Sequence, residues 1–193
     1  MRRKIGLLAM QGAFVDHEKV MQKLDCETLQ VRTPEQLGQV DGLIIPGGES
    51  TTIGKLMDQF GLVDAVTERV RNGMPIWGTC AGMILLAKEI EGSDQLRLGL
   101  MDLKVRRNAF GRQVDSFEAP LQIEELGQEP FPAVFIRAPY IAEKSDNVSI
   151  LATYQDKIVA VRQGCCLAAA FHPELTADSR MHQYFLDMVN QSL

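Results

Sequence analysis

Apolar residues in the first half of the chain come as short solid runs, separated by segments with helical spacing. Ile5-Gly6-Leu7-Leu8-Ala9-Met10, closed by Gln11-Gly12, predicts a buried strand. Over residues 14–24 the apolar positions are Phe14, Val15, Val20, Met21 and Leu24, a spacing that predicts a helix lying on a sheet. Residues 27–31 read as a second strand, and Thr33-Pro34-Glu35-Gln36 as a capping box opening a short helix. Residues 41–45 form a third strand candidate, ending in Pro46-Gly47-Gly48-Glu49-Ser50-Thr51-Thr52, where Ser50, Thr51 or Thr52 can cap the next helix. A helix over 62–71 stops at Asn72-Gly73. A strand over 75–78 then leads to Gly78-Thr79-Cys80-Ala81-Gly82, and the apolar run Met83-Ile84-Leu85-Leu86-Ala87 predicts a helix continuing through Glu89. Strand and helix therefore alternate, which predicts a parallel sheet with helices on both faces and ligands beyond the carboxyl ends of its strands.

The second half reads differently. Short strand candidates fall at 103–107, 121–123, 133–136, 148–154 and 158–162, with Gln155-Asp156-Lys157 as a hairpin turn, so this half is expected to be more antiparallel. A last apolar run over 165–171 enters His172-Pro173-Glu174, and a helix over 178–190 is expected to bury Met181, Phe185, Met188 and Val189. No linker or repeat interrupts the pattern, so residues 1–193 are expected to form one domain.

Composition narrows the classes. The chain is 46% hydrophobic and 23% charged, with a net charge of −5, which fits a soluble globular protein and argues against a globally basic nucleic-acid face. Cys26, Cys80, Cys165 and Cys166 match no zinc spacing, and reduced thiols in the cytoplasm are the simplest reading. No secretion signal and no membrane-length run is expected.

Candidate chemistry centres on Cys80. A thiol at a sharp strand-to-helix turn, with glycine two positions to either side, follows the logic of a nucleophile elbow, and a helix N-terminus favours the thiolate. Alone, such a turn also fits a buried packing cysteine. A nucleophile needs a base and the base an orienting group. His172 ends a strand candidate and Glu174 follows two residues later; alone they fit a strand end and a cap equally well, and with Cys80 they favour a triad. His17, beside Asp16 and Glu18, is expected to be solvated, and His182 exposed or lightly packed; three histidines in separate contexts argue against a metal site. The backbone N–H of Ala81 and that of Gly47 or Gly48 are candidate oxyanion donors. The basic stretch Arg106-Arg107-Asn108-Ala109-Phe110-Gly111-Arg112-Gln113 is either a solvated face or a carboxylate grip, and Arg137 invites the second reading too.

Gly78-Thr79-Cys80-Ala81-Gly82 together with Phe171-His172-Pro173-Glu174 resembles the class I (triad) glutamine amidotransferases. Gln11-Gly12-Ala13, the Gly47-Gly48-Glu49-Ser50-Thr51-Thr52 stretch, residues 107–118, Phe135-Ile136-Arg137-Ala138-Pro139 and His172-Pro173-Glu174-Leu175-Thr176 narrow the resemblance to the glutaminase subunits of pyridoxal 5′-phosphate synthases. It covers essentially the whole chain. The resemblance implies an α/β fold of three layers, flavodoxin-like, with a mixed, mostly parallel sheet flanked by helices. It implies hydrolysis of L-glutamine to glutamate and ammonia without a cofactor, and delivery of the ammonia to a synthase subunit within a large hetero-oligomer. Cys80 would be nucleophile, His172 general base and acid, and Glu174 the orienting carboxylate. Glutamine contacts would fall on Gly48, Glu49, Ser50, Arg107, Ile136 and Arg137, with Gln11 near the oxyanion site. Many relatives in the wider superfamily carry a Gln shortly after the elbow; Met83-Ile84 stands there in this chain.

Overall fold

Strand β1 (Lys4–Leu8) is fully buried from Ile5 onward and pairs on both sides in parallel, with β2 (Glu27–Val31) and β3 (Gly42–Ile45). The structure, a computed structural model, describes residues 2–108, 110 and 115–192. Between these strands run α1 (Phe14–Lys23) and the short α2 (Pro34–Leu37), whose Thr33–Gln36 capping box is present as the sequence predicts. Helices α3 (Ser50–Gln59) and α4 (Leu62–Arg71) lead to β4 (Ile76–Thr79), which pairs with β3 in parallel. The remaining elements are α5 (Ala81–Leu86), β5 (Ala87–Ile90), β6 (Met101–Arg106), β7 (Ser116–Leu121), β8 (Phe131–Ile136), β9 (Tyr140–Lys144), β10 (Ser149–Tyr154), β11 (Lys157–Gln163), β12 (Cys166–Ala169) and α6 (Arg180–Gln191).

The main sheet runs β2-β1-β3-β4-β12-β11-β9-β6-β5, with β10 paired to β11; β7 and β8 form a separate hairpin. The stretch from β2 to β12 is parallel throughout, while β12-β11-β9-β6 is antiparallel, as the change of pattern at mid-chain predicts. Side chains alternate across a strand. Trp77 of β4 meets Phe185 and His182 of α6, whereas the neighbouring Gly78 lies against Gly82 of α5. Helices α1 and α6 therefore cover one face and α5 the other. The β10–β11 hairpin closes through Gln155 and Asp156, both at positive φ, the conformation that a two-residue hairpin turn requires.

Several expectations are corrected. The helix after Cys80 ends at Leu86 rather than continuing through Glu89, because Ala87 turns extended and opens β5. Strand β9 and most of β7 have no counterpart in the sequence reading. Glu49, not Ser50, Thr51 or Thr52, precedes α3, and no side chain caps that helix; the Thr51 hydroxyl donates instead to the Glu49 carboxylate at 3.1 Å.

Candidate active site

Four parallel strands, β1, β3, β4 and β12, end at the same edge of the sheet, and each delivers a piece of the site there. Strands β4 and β12 are neighbours, with Thr79 opposite Ala169, and the N–H of Cys80 donates to the Ala169 carbonyl at 2.8 Å. Cys80 and His172 thus follow adjacent strands, one residue beyond Thr79 and three beyond Ala169, and the His172 N–H donates to the Val134 carbonyl of β8 at 2.7 Å. Strand β3 brings Gly47 and Gly48 to the other side of Cys80, and β1 brings Gln11.

The turn at Cys80 has φ 49° and ψ −103°, a conformation that a non-glycine residue holds only when its surroundings force it. The surroundings do. A Cβ on Gly78 would collide with the Gly82 backbone, and a Cβ on Gly82 with the Ile45 carbonyl. Glycines on both sides of the thiol therefore let α5 start directly against β3 and β4. Arg137 and Asn108, at φ 42° and 46°, are also strained, and both face the same cavity as Cys80. Such clustering of strain is common where backbone is shaped for a ligand.

His172 is buried, and its Nδ1 lies 2.7 Å from Glu174 Oε1. Burial opposes charge on this ring. The Cys80 thiol and the Glu174 carboxylate outweigh it and push the imidazole up to about 10. A protonated imidazole is the partner a thiolate needs. The Cys80 thiol also points at the Ile136 carbonyl, 3.8 Å away. Gly47 packs against the imidazole, where a side chain would strike Cε1. The Gly47 carbonyl accepts from Ala13 N–H at 3.0 Å, and the Glu49 N–H donates to Gln11 Oε1 at 2.7 Å. The Gln11 side-chain oxygen is thereby engaged, and its NH₂ makes no hydrogen bond among the described residues.

A cavity of about 300 Å³ opens at this edge. Its walls include ten of the predicted residues: Gln11, Gly48, Glu49, Ser50, Cys80, Ala81, Arg107, Ile136, Arg137 and His172. Gly47 and Glu174 lie behind the wall, against His172. The predicted stretch 107–118 is described only in part; Ala109, Gly111, Arg112, Gln113 and Val114 lie outside the described residues. Phe110 anchors its middle against Phe117, Phe135 and Tyr154.

Sequence reasoning missed several contributors. Asn108 and Ile84 complete the wall, Ile84 supplying apolar surface near the elbow. Gln95 hydrogen-bonds both Ser50 and Arg107, so one amide ties together two predicted contacts from distant segments. The largest correction concerns the histidines. His17 and His182 are both fully buried, neither solvated nor lightly packed, and their rings meet through Nδ1 and Nε2 at 2.9 Å. Nor do the three histidines occupy separate contexts: His17 Nε2 lies 3.3 Å from Glu174 Oε2, so all three sit in one buried line. A signal was present in the sequence. His17 stands three and four residues before Val20 and Met21, and His182 three and four before Phe185 and Leu186, each on the apolar face of its helix.

These groups give stability a defined pH dependence. The folded chain holds the His172 proton up to about 10, whereas the unfolded chain releases it near 6.5, so this contribution is full below 6.5 and lost as pH rises. His17, lowered by burial and then by His182 and His172, and His182, lowered by burial to about 3, run the other way: their contribution is full above 6.5 and lost as pH falls. Urea unfolding is therefore expected to give a maximum of stability near pH 6.5 with a decline on each side; stability still climbing toward pH 9 would contradict the imidazolium at His172.

The SNO glutamine amidotransferase family matches residues 7–191. A relative from Carboxydothermus hydrogenoformans, named pyridoxal 5′-phosphate synthase subunit PdxT, is 62% identical over 190 residues, spanning 98% of this chain and all of the relative. The protein of the same name from Brevibacillus brevis is 55% identical over 97% of this chain and 98% of its own. Among solved structures, one described as a glutamine amidotransferase superposes with a TM-score of 0.92 at 49% identity, covering 96% of this chain and 98% of that one. A putative GMP synthase component from Thermoplasma acidophilum, 18% identical with a TM-score of 0.71 over 98% of this chain and 95% of its own, shares the fold.

Proposed function

The chain belongs to the SNO glutamine amidotransferase family and is a glutaminase subunit that supplies ammonia for pyridoxal 5′-phosphate synthesis; from that premise we propose that Cys80, His172 and Glu174 perform the hydrolysis. One observation carries the assignment: two adjacent parallel strands end in Cys80 and in the 2.7 Å His172–Glu174 pair, against a common cavity.

The cavity's charges suit a free amino acid. Arg107 and Arg137 offer guanidinium groups for an α-carboxylate, and Glu49 a carboxylate for an α-ammonium. Ser50, Gly48 and Ile136 would border the rest of the glutamine. The Cys80 thiolate attacks the side-chain amide carbon, and its electron pair becomes the new C–S bond. The oxyanion formed is held by backbone N–H groups of Ala81 and of the Gly47-Gly48 segment, with the Gln11 amide beside them. When the tetrahedral adduct collapses, the C–N bond breaks and His172 gives its proton to the departing ammonia. A γ-glutamyl thioester remains. His172 then takes a proton from water, the hydroxide attacks the thioester, and glutamate and the Cys80 thiolate are regenerated. Glutamine and water become glutamate and ammonia, with no net proton consumed by the enzyme. Glu174 keeps Nδ1–H of His172 engaged throughout, so that Nε2 is the atom that exchanges protons.

The ammonia goes to a synthase subunit. We read that assembly as a large hetero-oligomer in the cytoplasm, with residues 1–193 acting as one glutaminase domain; four free cysteines suit a reducing compartment. No described helix is long and apolar enough to cross a membrane. The test combines the purified chain with a pyridoxal 5′-phosphate synthase subunit, supplies glutamine, and follows ammonia and glutamate. A glutamine-analogue alkylator is expected to label Cys80 stoichiometrically and to stop the release. Labelling elsewhere with release unaffected would remove Cys80 from the chemistry.

A further inference from the structure

Glu174 is buried and spends only one of its oxygens on His172. Oε2 is sealed from water and has no well-aligned partner among the described residues; the atom facing it is His17 Nε2, 3.3 Å away. His17 stands in the first turn of α1, fully buried. Its Nε2 also lies 3.1 Å from Thr79 Oγ1, next to the nucleophile in sequence, and its Nδ1 lies 2.9 Å from His182 Nε2. His182 Nδ1 has no partner among the described residues.

The protons can be assigned by elimination. Burial keeps both rings neutral, so each carries one N–H. A proton on His17 Nδ1 would turn a bare lone pair toward a carboxylate oxygen and oblige His182 to accept at Nε2. His182 would then bury an unpaired N–H at Nδ1, the kind of orphan that folded proteins avoid most strictly. A proton on His17 Nε2 removes both faults. It lies between Thr79 Oγ1 at 3.1 Å and Glu174 Oε2 at 3.3 Å, Nδ1 accepts from His182 Nε2–H, and the unpaired atom of His182 becomes a lone pair.

We propose that His17 is a positioning residue of the glutaminase reaction: its Nε2–H, held in that tautomer by His182, engages the second oxygen of Glu174 and fixes the plane in which Glu174 orients His172. The proposal rests on the triad assigned above. His17 does not line the cavity; it reaches the site through Glu174 and through Thr79, the residue before Cys80.

The test measures glutamine hydrolysis in the complex with the synthase subunit for wild type, His17→Leu, His17→Gln and Cys80→Ala. Losing a hydrogen bond to a charged group predicts a fall in kcat of about 10- to 100-fold in His17→Leu, with KM for glutamine changed less than about twofold. Gln places an amide nitrogen near the Nε2 position, so His17→Gln is expected to recover most of the loss. A His17→Leu enzyme at wild-type kcat, or a His17→Gln enzyme no better than His17→Leu, overturns the proposal. If Cys80→Ala is inactive while His17→Leu is fully active, the triad stands and His17 is only core. Hydrolysis surviving Cys80→Ala would overturn triad and proposal together. A second measurement needs no variant: ¹⁵N-histidine NMR of the wild-type chain at pH 7 should find His17 neutral with the proton on Nε2. A proton on Nδ1, or a charged ring, overturns the assignment.

Discussion

Replacing Cys80 with Ala is expected to lower glutamine hydrolysis by the assembled enzyme by about 10⁴-fold or more, while synthesis driven by added ammonia continues. The size of the effect follows from the lack of any substitute. Cys165 points at the Val70 carbonyl and Cys26 at the Leu24 carbonyl, and neither borders the cavity, nor does the buried Cys166. Ser50 does border it, but its hydroxyl is bonded to Gln95, not to a base. Alanine keeps the Cβ, so the elbow retains its packing, and the loss of one sulfur at a largely buried site should cost stability only about 1 kcal/mol. Ammonia release, circular dichroism and co-purification with the synthase subunit check the three statements separately. Hydrolysis above about 1% of wild type would assign the nucleophile to another group.

The second large effect is expected from Glu174→Gln: kcat falls by about 10³-fold or more with the fold retained. The reason is the direction in which the new amide must face. In the tautomer proposed for His17, Nε2–H lies 3.3 Å from the outer atom of residue 174, so the amide oxygen turns there. The NH₂ is left facing His172 Nδ1, where the carboxylate stood at 2.7 Å. A donor at that position makes Nδ1 the acceptor and puts the ring proton on Nε2, toward Cys80. The ring then cannot take the thiol proton. Losing the carboxylate also removes a main cause of the raised pKa, so the alkaline decline in stability should flatten in this variant. Steady-state kinetics and urea unfolding at pH 7 and 9 read the two consequences; unchanged kcat would mean that His172 needs no orienting carboxylate.

Much of this arrangement can be read from residues alone, and the limits of that reading have physical causes. The runs that become β1, β3 and β4 are continuous because both faces of a parallel sheet are covered, and such strands announce themselves. The elbow is marked by glycines whose role is backbone contact, and a glycine is visible in a sequence whatever lies opposite it. The end of α5 is illegible because Met83, Ile84, Leu85, Leu86 and Ala87 are all buried, so no polar position marks where helix gives way to β5. Strand β9, Tyr-Ile-Ala-Glu-Lys, buries only Ile141, and β7 contains Pro120, so neither resembles a core strand. His17 misleads because its sequence neighbours Asp16 and Glu18 are polar. In a helix the neighbours that matter are three and four residues away, and in the fold the decisive partner, His182, comes from the opposite end of the chain. Gln95 is invisible for a similar reason: its importance lies wholly in joining Ser50 to Arg107.

Cys80 and His172 lie just beyond the ends of two adjoining parallel strands, β4 and β12. The spacing of those strand ends is set by the interstrand distance of about 4.8 Å, a length dictated by main-chain hydrogen bonds and independent of which side chains fill the core, and the His172 N–H is tied in turn to the Val134 carbonyl of β8. Core substitutions away from His17, His182 and Glu174 can erode stability without moving Cys80 relative to His172, and activity below the melting point should stay close to normal until the ladder between β4 and β12 opens. That ladder lies at the centre of the sheet, between β3 and β11, and is among the last to separate. Heat inactivation is therefore expected to track global unfolding, and resistance to heat is best engineered away from the glycines at the elbow and the buried histidine line.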